Sequence, residues 1–334
     1  MKKLLVTGAG GYIGSIATYL LLQNGYDVIA VDNLSTGYKE PLELLQQKFG
    51  KEHLRLYIQD LREPIHNIFE AEKNISGVIH YAAPCNVDES MKEPRKYFDT
   101  ITIGLNVIDT MLLHNVNNLV FSSTCAVYGE TEHVPVDENH PTLPVNPYGE
   151  SKKMVENIIQ WYSKLKNLHF MILRYFNVCG ASDDGLIGDS KKPSRHLVQN
   201  AVRGALGLEQ FFLTCPHVDT PDKTPIRDYV NVVDLNEAHI KALEHLFAGG
   251  KSDIINIGTG TGDSVLSIVN KVEEITGKSI KTETTEPRAG EYAQIYADIS
   301  KAQSILKWVP KRSIKDSVRA LVAWYNQYPQ GWNG

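Results

Sequence analysis

The 334-residue sequence predicts an α/β fold, a doubly wound parallel sheet with a second, smaller α+β domain, and three observations carry that prediction. Short β-branched and apolar runs recur at the spacing of βα units with helix-like stretches between them, as expected of strands buried on both faces. A glycine cluster follows the first run directly and leads into an apolar helical stretch. Beyond Arg174 the texture changes: residues 179–228 are rich in Gly, Pro, Lys and Asp and read as less regular, substrate-covering structure.

Taken in order, strands are predicted at Leu4-Leu5-Val6, Val28 to Val31, Leu54 to Ile58, Val78 to Tyr81, Leu119 to Phe121 and Phe170 to Leu173, with one more at Ile254 to Gly258. Helices are predicted over Ile16 to Leu22, from Pro147 and Tyr148 onward, and over His196 to Leu206, Ser264 to Thr276 and Ser313 to Tyr325. The first domain then spans residues 1–178 and recovers 229–258, while the second takes 179–228 and 259–334. With right-handed crossovers, such a sheet binds ligands at the carboxyl ends of its strands.

Composition excludes several classes. Thirty-four basic residues against 39 acidic ones give a net charge of -5, and no Lys/Arg cluster goes beyond local pairs, so nucleic acid is not an expected partner. No apolar run is long enough for a signal peptide or a membrane span. Four cysteines, Cys85, Cys125, Cys179 and Cys215, lie far apart without a CxxC pair and read as free thiols of a cytoplasmic protein. No His/Cys/Asp/Glu grouping has metal-ligand spacing, so no metal is expected.

At the nucleotide end, the first strand runs into Gly8-Ala9-Gly10-Gly11-Tyr12-Ile13-Gly14. Glycines at 8, 11 and 14 permit a tight turn and close approach of a pyrophosphate to N–H groups at a helix N-terminus, whose partial charge favours the anion. The second strand ends at Asp32, whose carboxylate suits both ribose hydroxyls and repels a 2′-phosphate. Asn33 to Tyr38 include no Arg or Lys, which favours NAD over NADP. Asp60-Leu61 closes the third strand, where the Asp either reaches the adenine or is an ordinary surface residue.

At the chemical end, Phe121-Ser122-Ser123-Thr124 closes a strand, and Tyr148 and Lys152 lie on one face of a helix opened by Pro147. A tyrosine ionises near pH 10, so its use as a base near neutrality requires a cation, which Lys152 and an oxidised nicotinamide both supply. Tyr162 and Lys166 repeat the spacing but lie about 21 Å further along the helix at about 1.5 Å per residue, and Tyr162 reads as packing. Thr124 is placed to hydrogen-bond the same substrate oxygen. His80 reads as a hydrogen-bonded structural residue, and Cys125 as a small buried side chain rather than a nucleophile.

This combination resembles the extended short-chain dehydrogenase/reductase family, and within it the UDP-glucose (UDP-galactose) 4-epimerases. The similarity runs over nearly the whole chain, through His80-Tyr81-Ala82-Ala83, Val127-Tyr128-Gly129, Asn146 to Lys152, Arg174-Tyr175-Phe176-Asn177, Arg227-Asp228-Tyr229-Val230, Tyr296-Ala297-Asp298 and Pro329-Gln330-Gly331. The resemblance implies a Rossmann NAD-binding domain, a nucleotide-sugar-binding second domain, and reversible C4 epimerisation of a UDP-hexose through a 4-keto sugar. It implies that Tyr148 is the base, that Lys152 lowers its pKa and binds the nicotinamide ribose, and that Thr124 shares the proton path. Tyr12, Ile13, Asn33, Asp60, Leu61, Tyr81, Ala82, Ala83, Cys85 and Phe176 would complete the NAD site. Asn177, His196, Leu197, Arg227 and Arg288 would grip the UDP moiety, two arginines suiting a diphosphate. The implied assembly is a homodimer through the catalytic helix and the helix Tyr97 to His114, and the broad apolar set Met154, Val155, Ile158, Ile159 and Tyr162 agrees with it.

The sequence also departs from the family pattern. Cys85 stands where these epimerases usually carry a lysine near the nicotinamide, Thr100-Ile101-Thr102 replaces an Asn-Asn-Val stretch, and Cys215 replaces a glycine in the uridine region. Ile295 occupies the position that gates N-acetylated sugars. Other UDP-sugars, a pentose or a uronic acid, therefore stay open. An NDP-sugar 4,6-dehydratase would need an acid/base pair after Thr124, where Cys125 and Ala126 stand. A non-catalytic dinucleotide sensor is opposed by the intact Tyr148, Lys152 and Thr124.

Overall fold

The computed structural model describes residues 2–213, 218–284 and 293–333. Seven strands form the main sheet in the spatial order Asp253–Ile257, His169–Tyr175, Asn118–Thr124, Ile75–His80, Lys3–Thr7, Asp27–Asp32 and Leu54–Ile58. Parallel registers such as Leu5↔Ile29 and Leu5↔Val78 run through its centre. The doubly wound parallel sheet is as expected. Leu4, Leu5, Val6, Val28, Ile29, Ala30 and Val31 are buried, which is why these strands read as unbroken apolar runs rather than alternating ones. Chain order reverses between Lys3–Thr7 and Ile75–His80, so the turns that follow these two strands sit where an open α/β sheet takes its ligand.

The chain divides into two compact units: Met1–Gly129 with Thr142–Arg174 and Asn236–Ile255, and Glu130–Pro141 with Tyr175–Leu235 and Asn256–Gly334. The first holds the sheet and a core built around Leu5, Ile29, Val78, Phe121, Val155 and Ile172. The second has its own core, with Val202, Phe211, Ile268, Leu321 and Trp324 at its centre. Its helices Leu197–Ala205, Val265–Thr276 and Ile314–Gln327 pack around short strand pairs such as Asn177–Cys179 with Tyr229–Asn231.

Most differences from the sequence reading are at boundaries. Ser264 and Ser313 are N-caps, each accepting a backbone N–H three residues on, and Ser313 with Asp316 forms a reciprocal capping box. The strand expected to close with Phe121-Ser122-Ser123-Thr124 does end at Thr124, and the helix expected from Tyr97 begins at Pro94. The helix Val232–Phe247 and the short strands of the second unit were not foreseen; strands of two or three residues carry no readable period.

Candidate active site

Gly8 adopts φ +67°, and a Cβ there would stand 2.8 Å from the Ala82 nitrogen, so the glycine lets this turn close onto the Tyr81-Ala82 segment. A Cβ on Gly14 would stand 2.1 Å from the Gly8 carbonyl oxygen, which forces glycine where helix Tyr12–Gln23 leaves the turn. The first intrahelical bond is Ser15 N–H to Gly11 C=O at 2.9 Å, and the N–H groups ahead of it are those a helix leaves to an anion. Asp32 is buried at the end of its strand and accepts Gly10 N–H at 2.9 Å and Leu34 N–H at 2.7 Å. A carboxylate accepts and does not donate, which is the chemistry the two hydroxyls of a ribose diol call for. These residues fit a dinucleotide. Asp60 accepts from Asn33 at 3.0 Å and Arg62 at 2.8 Å, and the guanidinium holds its carboxyl well below the usual carboxylate range.

Tyr148 occupies the second position of helix Pro147–Lys166, a start set by Pro147 and by Asn146, whose side chain accepts Gly149 N–H at 2.8 Å. Its ring is 9% exposed and meets Tyr97 edge-on, centroids 6.3 Å apart. Lys152, one turn on and 3% exposed, donates from Nζ to the Ser122 carbonyl at 2.8 Å. Burial pushes its pKa down to about 8, against the electrostatic influence of Cys85 and Glu156. Thr124 Oγ1 accepts Ala126 N–H at 3.2 Å and keeps its own proton to donate. Ala126 packs in one apolar cluster with Tyr97 and Tyr148, which brings the strand end beside the tyrosine.

Helix Pro147–Lys166 is fastened to the sheet by a buried ion pair not foreseen from the sequence. Glu156 accepts from Arg174 Nη2 at 2.6 Å and Nε at 3.0 Å and from the Ser123 hydroxyl, while Arg174 Nη1 reaches Tyr128 Oη at 3.2 Å. His80 is structural, as expected: its Nδ1 pairs with Thr7 Oγ1 at 2.6 Å, and burial, with Lys152 nearby, pushes its pKa down to about 3. Tyr162 donates to Asp109 at 2.8 Å, and burial and that carboxylate raise its pKa, away from use as a base. Cys125 is half-buried rather than buried, Cys85 is exposed and Cys179 buried; all three are free thiols. Val155 and Ile159 are buried in the core, Ile158 and Tyr162 pack partly buried against it, and Met154 alone of the five faces outward, so the sheet explains most of that apolar set.

In the second unit, Asn177 is exposed at the start of its strand, its N–H donating to Asp228 C=O at 2.9 Å. His196 is the half-buried N-cap of helix Leu197–Ala205, and Leu197 is likewise half-buried. Arg227 pairs in register with Ile295, which is 1% exposed. Asp228, beside it, escaped the sequence reading: it is fully buried and accepts from Thr259 N–H and Oγ1, both at 2.7 Å, from Gly260 N–H at 3.1 Å and from Ala297 N–H at 3.2 Å. Phe176 is buried. Arg288 and Cys215 lie outside the described residues. Among the described residues no group of three or more His, Cys, Asp or Glu is disposed to hold a metal ion, and no helix is long and apolar enough to cross a membrane.

A glycine turn at the reversal of strand order, a buried carboxylate at the second strand end and a Tyr–Lys helix beside a Ser-Ser-Thr strand define a dinucleotide-dependent enzyme of the short-chain type. Residues 4–258 match the NAD dependent epimerase/dehydratase family, and the chain belongs to that family. It is 38% identical over 335 residues to the UDP-glucose 4-epimerase of Lactobacillus helveticus, covering 99% of each chain. It is 40% identical over 344 residues to the probable UDP-arabinose 4-epimerase 1 of Oryza sativa subsp. japonica, covering 99% of this chain and 81% of that one. Among solved structures it is similar to the UDP-glucose 4-epimerase from Bifidobacterium longum in complex with NAD+ and UDP, at 35% identity and TM-score 0.92, covering 99% of this chain and 100% of that one.

Proposed function

We propose that this chain is an NAD-dependent isomerase of carbohydrate metabolism that interconverts UDP-glucose and UDP-galactose at C4. The observation that carries the reading is Lys152, buried and hydrogen-bonded to the Ser122 carbonyl one helical turn beyond Tyr148. Gly8, Gly11, Tyr12, Ile13, Gly14, Asp32, Asn33, Asp60, Leu61, Tyr81, Ala82, Ala83, Cys85 and Phe176 are assigned to the cofactor. Bound NAD supplies the acceptor and later the donor for the C4 hydride. Tyr148, ionised beside the Lys152 ammonium, takes the proton of the sugar 4-hydroxyl, and Thr124 donates a hydrogen bond to the same oxygen. After the 4-keto sugar has turned over, the hydride would return to its other face and Tyr148 gives back the proton; because the hydride is restored, the cycle is redox-neutral.

Residues 1–178 with 229–258 are assigned to NAD and the rest of the chain to the nucleotide sugar. Asn177, His196, Leu197, Arg227 and Arg288 are assigned to the UDP moiety, and Ile295 to sugar selection. The free thiols support a cytoplasmic setting, and the outward apolar face of the catalytic helix supports a homodimer. A second reading, pentose epimerisation, is favoured by the 40% identity to the rice UDP-arabinose 4-epimerase. NMR of the protein with UDP-glucose, UDP-N-acetylglucosamine and UDP-arabinopyranose, each with and without added NAD, tests both. Conversion of UDP-glucose to the galacto isomer establishes the first reading; turnover of the pentose alone replaces it with the second.

A further inference from the structure

Helix Val232–Phe247 brings two fully buried polar side chains, Asn236 and His239, against the two turns assigned to the cofactor. Tyr81 Oη donates to Asn236 Oδ1 at 2.8 Å, and Asn236 Nδ2 donates to the Ile13 carbonyl at 3.2 Å. The two contacts cross 155 and 223 residues of sequence. Ile13 C=O only accepts, so it must face the amide nitrogen, and that fixes the amide oxygen toward the Tyr81 hydroxyl. His239 lies against the Tyr81 ring, centroids 4.8 Å apart and the planes tilted by 37°, and His239 Nε2 lies 3.4 Å from Ser122 Oγ, in the residue whose carbonyl holds Lys152. A single amide therefore ties the segment after Ile75–His80 to the first turn of helix Tyr12–Gln23.

We propose that Asn236 is a positioning residue for the cofactor: it sets the Tyr81 ring and the first helical turn at Ile13 in register with one another, so that both meet the dinucleotide preformed. The proposal rests on the placement of NAD argued above. Neither residue touches the reacting atoms through this link; its effect is on cofactor affinity, because an unheld ring and turn must be ordered when NAD binds.

The test is isothermal titration of the full chain, stripped of cofactor, with NAD and separately with UDP. Asn236→Ala should weaken NAD affinity about tenfold, as expected for one buried hydrogen-bonded link, and leave UDP affinity within about twofold. Tyr81→Phe, which removes only a hydroxyl, should reproduce most of that loss, and the double variant should be no weaker than Asn236→Ala alone. Asn236→Asp retains the acceptor for Tyr81 but sets a carboxylate against the Ile13 carbonyl, and should bind NAD no better than Asn236→Ala. NAD affinity unchanged in both single variants overturns the proposal, as does a parallel loss of UDP affinity, which marks a general packing role. Asp32→Ala separates the two levels: if it too leaves NAD affinity intact, the cofactor placement itself is wrong. If it weakens NAD while Asn236→Ala does not, only the Asn236 assignment falls.

Discussion

A tyrosine serves as a base at neutral pH only where a cation stabilises its phenolate, and in the mechanism proposed above that cation is Lys152, which comes at a cost: it is buried, and burial opposes its charge. Removing the phenol oxygen while keeping the ring separates chemistry from binding. Tyr148→Phe should lower kcat by about 10³-fold, within the range for a positioned general base, with NAD affinity retained by titration. Lys152 gives a second test through pH. With a folded pKa of about 8 against about 10.4 unfolded, the unfolded chain binds more protons between those values, so this residue makes stability rise with pH across that window. Activity should move the other way, falling as the ammonium is lost above pH 8. Stopped assays and thermal melts from pH 7 to 10 should show the two trends diverge, and Lys152→Met should remove this residue's contribution to both.

The helix Pro147–Lys166 is only as well placed as its fastening, and Glu156 with Arg174 provides it inside the sheet edge. Glu156→Ala leaves a guanidinium and the Ser123 hydroxyl buried without their carboxylate and should cost about 3–5 kcal/mol in urea unfolding. At the end of Ile75–His80, His80 stays neutral in the fold. Below pH 6.5 the unfolded chain takes up a proton that the native state refuses until about pH 3, so stability is lost on acidification through that range. His80→Gln should flatten the acid limb by up to about 1.4 kcal/mol per pH unit, read from urea midpoints between pH 6 and 4. The sheet strands, the glycine turn, Asp32 and the Tyr148–Lys152 pair were legible because each is written in a local period or a spacing of a few residues. Glu156 with Arg174, Asn236 with Tyr81 and Ile13, and the four donors gathered by Asp228 were not: each is a contact between elements, and a single sequence carries no signal for which buried polar side chain meets which.

At the scale of the molecule, helix Pro147–Lys166 carries more apolar surface than its own sheet consumes. Met154, Ile158, Trp161 and Leu165 recur at three- and four-residue spacing on one stripe, and Trp161 and Leu165 are 60% and 70% exposed, as is Leu113 at 68% at the end of the neighbouring helix Pro94–Leu113. On the homodimer proposed above, a second copy of the chain covers it. In a two-fold interface the same stripe meets itself, so every residue counts twice, and a fully buried large apolar side chain contributes roughly 1.5–3 kcal/mol. The same doubling makes charge an effective probe, because one substitution sets two like charges in the interface. Light scattering at micromolar concentration should return twice the 37.4 kDa chain mass for the unaltered protein and a single chain mass for Trp161→Glu combined with Leu165→Glu. Both positions point away from the core, so the substituted chain should keep its unfolding midpoint once dimer dissociation is separated by varying protein concentration. A single chain mass for the unaltered protein would assign the stripe another occupant and withdraw the dimer.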